Sequence, residues 1–298
     1  MKAAVIQKRT TYRKFVVEEH DPLMARLLRR HDPAVGRLRA SHEAHEDTVR
    51  EVDDALDKLG IDVVFRGGPR GRIPARAELV ITIGGDGTLL AASHQISDNV
   101  PLLGINSAPD HSIGFFCGGK KGNVLRTLRR ALEERLPRSE LSRMRVDLNG
   151  KILHARVLNE ALFCHASPAA TSRYILRITR SDGTFSEEDQ RSSGMWIGPA
   201  AGSTAAQRSA GGKVLPLTSR RIQYVVREPY HPIGGRMHFS VGLLGTDGKL
   251  TLRSKIRDGR VFIDGHRIAH NVTIGDVLSM RRSPETLTVL GLATKRRT

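Results

Sequence analysis

Residues 81–90 read ITIGGDGTLL, in which three glycines surround a single acid, Asp86, directly after an apolar run. The run has the length and composition of a buried strand, and the apolar residues after the turn suit a helix. A strand, a glycine-rich turn and a helix together point backbone N–H groups and a helix N-terminus at an anion. The stretch therefore predicts a β-α unit with an anion site at the turn and a helix that begins near Thr88.

The carboxylate of Asp86 decides what kind of anion site the turn forms. No lysine follows the glycines as in a Walker loop, and their spacing differs from the Rossmann dinucleotide fingerprint. A carboxylate among phosphates can accept a proton from an attacking hydroxyl, or it can hold a metal that bridges phosphates. The alternative is structural, because Asp commonly caps the start of a helix. The residues alone leave these interpretations open.

Residues 1–139 alternate between strand and helix patterns. An amphipathic helix is predicted from a cap at Ser41 to a stop at Gly60, and a basic one is predicted before Pro137. The strand candidates are continuously apolar and read AAVIQ, IDVVF, LVITI and PLLGIN. Continuously apolar strands separated by helices are typical of a parallel sheet with covered faces. This part is predicted to be an α/β N-terminal domain that carries the GGDGT turn.

From about residue 140 the pattern changes to alternating strands joined by tight turns. Asn149-Gly150 separates two alternating runs and is the strongest short hairpin signal. Asp-Gly pairs follow between strand-like segments at 182–183, 247–248, 258–259 and 264–265. The pattern predicts an all-β C-terminal domain over residues 140–298, whose last residues are candidates for a return to the first domain.

The net charge of +17 over 298 residues has two interpretations, a polyanionic partner or a solvated surface rich in arginine. The arginines are scattered and aromatic residues make up only 4%, so stacking platforms for nucleic acid are scarce. The arginine-rich surface is favoured, and nucleic acid is not expected as a partner. The two cysteines suggest no disulfide framework, and no apolar run could cross a bilayer, so a cytoplasmic protein without membrane contact is expected.

Several motifs resemble those of NAD kinases, in that family's order. GGDGT resembles the signature of the superfamily that joins NAD kinases, diacylglycerol and sphingosine kinases and 6-phosphofructokinases. VLNEALF, residues 157–163, resembles the Asn-Glu motif of NAD kinases, and SSGMWIGPAAGSTAAQRSAGG, residues 192–212, resembles their glycine-rich segment. GIN at 104–106 and GFF at 114–116 fall where the family carries a Gly-Phe loop beside the nucleotide. By this resemblance the chain is identified as a member of the NAD kinase family, with the same two-domain fold.

Four further stretches, FCHASPAATSRY, RSSG, PAAGSTAA and REPY, look most like the branch typified by plant NADH kinases. Ser193 stands where the usual branch carries Asp, and Ala206 stands where it carries Tyr. The usual branch also carries Thr-Pro-Thr before the Gly-Ser-Thr, where this chain reads Gly198-Pro199-Ala200-Ala201. These departures leave the phosphoryl-transfer residues in place, and they leave the preference between NAD and NADH open.

The resemblance implies transfer of the γ-phosphoryl group of ATP to the 2′-hydroxyl of the adenosine ribose in NAD or NADH. Asp86 is the implied general base. The implied nucleotide- and substrate-binding residues are Gly84, Gly85, Gly87, Thr88, Phe115, Asn159, Glu160, Arg191, Thr204, Ala205 and Ser209. Mg²⁺ is expected with ATP, held largely by phosphates and water, so no protein metal ligand is assigned. A homodimer or homotetramer is also implied.

Two other functions stay open at this point. A lipid kinase of the same superfamily would need an apolar pocket or membrane face, and no unusually apolar run marks the second domain. A non-catalytic nucleic-acid-binding protein would use the +17 charge. Against it, Asp86, Asn159 and Glu160 are all present, whereas a decayed site would be expected to lose at least one of them. Ser203 lacks the G-x-S-x-G pattern of a hydrolase nucleophile.

Overall fold

The computed structural model describes residues 1–97, 99–230 and 238–292. They form two compact units, residues 1–139 with 288–292 and residues 140–287. A return of the last residues to the first domain was a candidate: residues 288–292 belong to the first unit, and residues 293–298 lie outside the described residues. In the described part of the chain, every helix is too short or too polar to span a bilayer.

The first unit is a parallel sheet flanked by helices, as predicted. Its strand order is β2-β1-β3-β4, all pairs are parallel, and β5 pairs with the end of β4. Val289, near the end of the chain's last strand, pairs in parallel with Leu102 at the start of β4. The elements are β1 Lys2–Gln7, α1 Pro22–Arg29, α2 Leu38–Lys58, β2 Asp62–Gly67, β3 Leu79–Gly84, α3 Asp86–Ser93, β4 Leu102–Asn106, β5 Cys117–Lys120 and α4 Val124–Leu132.

The core of this unit explains why the central strands are continuously apolar. Every residue of β3 and β4 is buried. Val52 and Leu56 of α2, with Leu128 of α4, belong to the same buried cluster as Ile81 and Ile105 of the sheet. Strands β3 and β4 thus lie in the middle of the sheet. The glycine turn therefore follows directly on a fully buried strand, β3.

The predicted start of α2 is wrong, and its predicted end is confirmed. The helix begins at Leu38, so Ser41 lies inside it, and the residue at the cap position, Arg37, makes no side-chain cap bond. At the other end Gly60 has φ +63°, the left-handed conformation that commonly ends a helix. A π-helical turn, Arg13–Glu18, and α1 precede α2, and the sequence patterns predicted neither.

The second unit consists of two antiparallel sheets around one core, which confirms the all-β prediction. Their orders are β10-β9-β14-β17-β6-β7 and β13-β12-β11-β8-β15-β16. Phe163 from one sheet and Tyr174 from the other meet edge to face, with ring centroids 5.4 Å apart. The elements are β6 Arg138–Leu148, β7 Lys151–Val157, β8 Ala161–His165, β9 Ser172–Thr179, β10 Phe185–Ser192, β11 Met195–Pro199, α5 Ala206–Ser209, β12 Ile222–Val226, β13 Val241–Leu244, β14 Lys249–Ser254, β15 Gly259–Ile263, β16 Ile268–Val272 and β17 Val277–Leu290.

The hairpin predicted at Asn149-Gly150 is confirmed. It joins β6 and β7, which pair in antiparallel fashion. Asn149 has φ +50° and Gly150 has φ +80°, the two positive values that a type I′ turn requires.

Candidate active site

The carboxylate of Asp86 is fixed by backbone donors from a distant loop. Asp86 is the first residue of α3, directly after β3 and the Gly84-Gly85 turn. Its Oδ2 accepts the N–H of Phe115 at 2.9 Å, and its Oδ1 accepts the N–H of Phe116 at 2.8 Å. The cap position of α3 is taken by Gly85, and the Asp86 carboxylate accepts from the distant loop instead, so the helix-cap interpretation is wrong. The helix also begins two residues before Thr88, where it was predicted to start.

The loop that holds Asp86 is itself held by Asn106, the last residue of β4. Asn106 Nδ2 donates to the carbonyl of Ser112 at 2.9 Å. Gly114 adopts φ +62°, and a Cβ built there would lie 2.3 Å from Asn106 Nδ2. Glycine is therefore required at 114 both by the backbone conformation and by this close approach. Phe115, predicted to contact the nucleotide, presents its backbone N–H to Asp86 and its half-buried ring edge to face against Phe116.

Helix α2 anchors the start of the same loop. His45 Nδ1 and Ser107 Oγ lie 3.0 Å apart, and Thr48 Oγ1 donates to the carbonyl of Ser107 at 3.0 Å. Burial and then the nearby charge of Lys8 lower the pKa of His45 to about 4, so the imidazole is neutral at pH 7. Sequence patterns carry no signal for this anchor, because His45 and Thr48 look like ordinary polar positions of an amphipathic helix.

The three glycines of the turn have different surroundings. A Cβ at Gly84 would lie 2.2 Å from Thr88 Oγ1, and one at Gly85 would lie 2.5 Å from Ser112 Oγ. At Gly87 nothing lies within 4 Å of that position, and the residue is exposed. Gly84 and Gly85 thus permit close packing of the turn, which was not foreseen. Gly87 leaves the backbone at the start of α3 open to a ligand.

A second group of predicted residues lies in the second unit, on the loop between β7 and β8. One carboxylate, that of Asp264, organises this loop: it accepts the N–H of Leu158 at 2.9 Å, of Asn159 at 2.7 Å and of Glu160 at 3.0 Å. The N–H of Asp264 donates in return to the carbonyl of Glu160 at 2.9 Å. Sequence reasoning placed Asp264 only in an Asp-Gly turn and missed this role, because its partners are about a hundred positions away.

The glycine-rich segment packs directly on the backbone of Asn159. A Cβ at Gly198 or Gly202 would lie 2.1 Å or 1.8 Å from the carbonyl oxygen of Asn159. Gln207 Nε2 donates to the same oxygen at 3.3 Å. The predicted Thr204 and Ala205 lie between Gly202 and Gln207 in the chain, and Ser209 follows Gln207, so all three belong to the segment that packs on Asn159. Ser203 donates to the Ala200 carbonyl and accepts from Leu215 N, a structural role.

Two side-chain oxygens of this loop are buried without a hydrogen-bond partner among the described residues. They are Asn159 Oδ1 and Glu160 Oε2, and Glu160 is only 8% exposed. A buried polar atom without a partner is costly, and native structures usually satisfy it with protein, water or ligand. The two oxygens without a partner make this loop a candidate site for a polar ligand.

Glu160 makes the stability of the free protein depend on pH. Burial and then the carboxylate of Asp264 raise the pKa of Glu160 from 4.5 to about 8. A carboxyl group whose pKa is higher in the folded than in the unfolded protein stabilises the fold at a pH below its unfolded pKa. That contribution is lost as the pH rises through the folded pKa. Between about pH 5 and about pH 8, the wild type should therefore lose stability relative to Glu160→Gln. The difference between their free energies of unfolding should grow by up to about 1.4 kcal/mol per pH unit. Urea denaturation across this range measures the difference.

The control for this prediction is Glu140→Gln, which removes an exposed carboxylate from β6. Its free energy of unfolding should run parallel to the wild type across the same pH range. A constant difference between Glu160→Gln and the wild type would contradict the proposed burial of an ionisable Glu160.

Arg191 stands apart from the other predicted residues of its unit. It lies near the end of β10, shortly before β11 begins at Met195. The contact with Asn159 is made at Gly198, seven residues further along the chain. The predicted site residues therefore form one group around Asp86, one around Asn159, and Arg191 by itself.

A carboxylate fixed beside a glycine turn and a helix N-terminus, at the end of a central parallel strand, is typical of enzymes that transfer phosphoryl groups. The chain belongs to the NAD kinase family. The family model described as "ATP-NAD kinase N-terminal domain" matches residues 41–135.

Relatives from two plants are similar over most of their length. A probable NADH kinase from Oryza sativa subsp. japonica is 33% identical over 263 residues, 83% of this chain and 81% of the relative. An NADH kinase from Arabidopsis thaliana is 37% identical over 229 residues, 71% of this chain and 72% of the relative. These matches confirm the resemblance to the plant NADH kinase branch.

Solved structures show the same fold at low sequence identity. An NAD kinase from Archaeoglobus fulgidus in complex with ATP superposes with a TM-score of 0.66 and 18% identity, covering 99% of this chain and 94% of its own. Yeast NADH kinase complexed with NADH gives a TM-score of 0.63 and 17% identity, covering 78% of this chain and 68% of its own. Both support the two-domain fold class predicted from the sequence.

Proposed function

We propose that this protein transfers the γ-phosphoryl group of ATP to the 2′-hydroxyl of the adenosine ribose of NAD or NADH, giving NADP or NADPH. The observation that carries the proposal is the Asp86 carboxylate, held by two backbone N–H groups in the GGDGT turn of an NAD kinase family member. A carboxylate oxygen retains acceptor capacity beyond one hydrogen bond, so Asp86 can also accept a proton.

In the proposed reaction Asp86 is the general base. The 2′-oxygen forms a bond to the γ-phosphorus while the bond from that phosphorus to the β–γ bridging oxygen breaks. ADP leaves with the electron pair, and the hydroxyl proton passes to Asp86. The two N–H donors fix the carboxylate in one orientation before the substrate arrives. The open backbone at Gly87 and the start of α3 supply N–H groups for phosphate oxygens.

The Asn159 loop is proposed to hold the adenosine part of the dinucleotide. The orphaned Asn159 Oδ1 can accept a hydrogen bond from the adenine edge, and Glu160 can bond to ribose hydroxyls. Thr204 and Ser209 add hydroxyl groups beside the base, and Ala205 adds a small wall. A polar ligand here would satisfy both orphaned oxygens, which is the physical support for this assignment.

Mg²⁺ is proposed to accompany ATP. It would be held largely by phosphate oxygens and water, and it would neutralise charge on the transferred group. Within the described part of the chain, no three His, Cys, Asp or Glu side chains lie together as a ligand set.

Assays with separate acceptors test the proposal. Purified protein is incubated with magnesium and ATP, and with NAD or NADH at equal concentration, and the 2′-phosphorylated product is measured. Product from either acceptor supports the kinase, and the ratio of the two rates gives the preference left open by the sequence. Replacing ATP by another nucleoside triphosphate or by polyphosphate gives the donor range. Absence of product with every donor would overturn the proposal and return attention to a lipid or nucleic-acid ligand.

A homodimer or homotetramer in the cytoplasm is proposed on the family resemblance alone. Light scattering at the assay concentration tests the assembly, and a monomeric mass would contradict it. Fractionation of cells from the source tests the compartment.

Gly87 and Gly84 provide a matched pair of variants that separates ligand approach from packing. Gly87→Ala adds a Cβ into open space, so the free energy of unfolding should stay within about 1 kcal/mol of the wild type. Its kinase rate should fall about tenfold to 10²-fold, because the methyl group displaces a phosphate by about 1 Å. Gly84→Ala places a Cβ 2.2 Å from Thr88 Oγ1 and should lower stability by about 1–3 kcal/mol. Thermal unfolding and initial rates measure both, and full activity in Gly87→Ala would contradict phosphate approach at this turn.

A further inference from the structure

Two glutamine side chains lie fully buried beside the Asn159 loop. Gln207 belongs to α5 and Gln223 to β12, and both have no exposed surface. Burying an amide group is costly unless its donors and its acceptor are bonded. The two glutamines bond to each other, since Gln223 Nε2 donates to Gln207 Oε1 at 3.1 Å.

Backbone groups at both ends fix the direction of this pair. At one end the N–H of Lys213 donates to Gln223 Oε1 at 2.8 Å, and Gln223 Nε2 donates to the Lys213 carbonyl at 3.1 Å. At the other end Gln207 Nε2 donates to the Asn159 carbonyl at 3.3 Å. Each amide therefore has one orientation that satisfies its neighbours. Lys213, Gln223, Gln207 and Asn159 form a continuous chain of hydrogen bonds, the glutamine relay.

Two glycines of the glycine-rich segment make room for the glutamine relay. A Cβ at Gly198 would lie 2.7 Å from Gln207 Nε2, and one at Gly212 would lie 2.8 Å from Gln223 Nε2. Both distances are shorter than a van der Waals contact, so a methyl group at either position would push an amide out of line. The glycines of this segment thus accommodate the buried amides as well as the Asn159 carbonyl.

The glutamine relay ties together the two walls of the proposed adenosine site. One wall is the Asn159 loop, and the other is the segment of residues 204–209, to which Gln207 belongs. Gln207 bonds the Asn159 carbonyl, and Gln223 of β12 holds the Gln207 amide in turn. The separation of the two walls is therefore set before a ligand binds. Such preorganisation lowers the cost of binding.

The glutamine relay acts on the residue that would read the base. Asn159 Oδ1 is buried and has no hydrogen-bond partner among the described residues. This oxygen can accept from the 6-amino group of adenine, whereas hypoxanthine carries an oxygen at that position and offers no donor there. A site built to bond one group rejects an analogue that lacks it, because the buried polar atom then stays unsatisfied. The rejection depends on how firmly Asn159 is held.

We propose that Gln207 and Gln223 are positioning residues that make the site specific for adenine, because they hold Asn159 in one orientation. That the ligand is an adenine dinucleotide rests on the proposed function. The rigidity of the Asn159 loop does not depend on that function and can be measured without a substrate.

Kinetics with two acceptors test the specificity. The wild type should prefer NADH to its hypoxanthine analogue by about tenfold or more in kcat/KM. Gln207→Met keeps the length of the side chain and removes both hydrogen bonds of its amide. The preference should fall by about threefold or more, through the KM for NADH rather than through kcat, since Asp86 is unchanged. An unchanged preference in Gln207→Met would overturn the proposal.

The matched control is Gln95→Met in the first unit. Gln95 Nε2 donates to the carbonyl of Pro69 at 2.8 Å, so the variant loses a hydrogen bond of the same kind. It should leave the preference between the two acceptors within about twofold of the wild type. An equal fall in Gln95→Met and Gln207→Met would contradict a specific role for the glutamine relay.

A second variant tests whether the two glutamines act together. Gln223→Met should lower the same preference, because the Gln207 amide loses its support. The double variant should lose little more than Gln207→Met alone, since both changes break one chain of hydrogen bonds. Losses that multiply in the double variant would contradict the relay.

Hydrogen exchange of the free protein tests the positioning without a substrate. The N–H groups of residues 158–160 donate to Asp264, and in Gln207→Met they should exchange about fivefold faster or more. Those of β9 should exchange as in the wild type, whereas a loss of global stability would speed both. Unchanged exchange in the loop would overturn the positioning role. Faster exchange of the loop in a protein without kinase activity would support the positioning role and count against the proposed function alone.

Discussion

Asp86→Asn is expected to lower kcat by about 10²- to 10⁴-fold, the range that a positioned general base contributes. An amide cannot accept the proton of the attacking hydroxyl. It also presents an NH₂ group to one of the two N–H donors, from Phe115 or Phe116, and so disturbs the loop. Because the lost function is chemical, the fall should appear mainly in kcat, with a smaller change in KM. Initial rates at saturating ATP and NADH measure it.

The control is Asp110→Asn, which neutralises an exposed acid in the loop between β4 and β5. It makes the same charge change near the same turn and should keep kcat within about twofold, because surface substitutions away from a site have small effects. If Asp86→Asn kept more than about a tenth of the wild-type kcat, Asp86 would not be the base.

Asp264→Asn is expected to be the second most damaging change, through the Asn159 loop. One carboxylate accepts three backbone N–H groups there, and Asn can serve the two on Oδ1 but not the N–H of Leu158 on Oδ2. A hydrogen bond to a charged group contributes about 1.5–3 kcal/mol, so the free energy of unfolding should fall by at least that amount. Because Asn159 and Glu160 move with the loop, the KM for the dinucleotide should rise by about tenfold or more.

Asp258→Asn is the matched control for Asp264→Asn. Both residues belong to Asp-Gly pairs at opposite ends of β15, but Asp258 is exposed, and it is its backbone carbonyl that accepts the N–H of Ala166. Asp258→Asn should change the free energy of unfolding by less than about 0.5 kcal/mol and leave the KM unchanged. Equal effects of the two variants, in chemical denaturation and in kinetics, would contradict the positioning role of Asp264.

The fold was predictable from the sequence because its signals are local. The buried strand of residues 79–83, the turn after it and the Asn149-Gly150 hairpin are each specified by a few consecutive residues. The error at Ser41 has a local cause as well. A polar residue before an apolar pattern resembles an N-cap. The helix α2 nevertheless begins about one turn earlier, at Leu38.

The site was predictable only in part, because its supporting contacts join distant residues. The motif indicated Asp86, but the N–H groups of Phe115 and Phe116 are about thirty positions away in the chain. Asp264 gave no signal beyond that of a turn. Pairings of this kind are set by tertiary structure, which periodicity and composition do not encode.

The measurement that tests the central claim most directly is phosphorus NMR of the product formed from NADH and ATP with magnesium. The proposed function predicts one new phosphate monoester on the 2′-carbon of the adenosine ribose, formed in equal amount with ADP by the wild type and nearly absent with Asp86→Asn. Release of ADP without that monoester, or a monoester at another position, would contradict it.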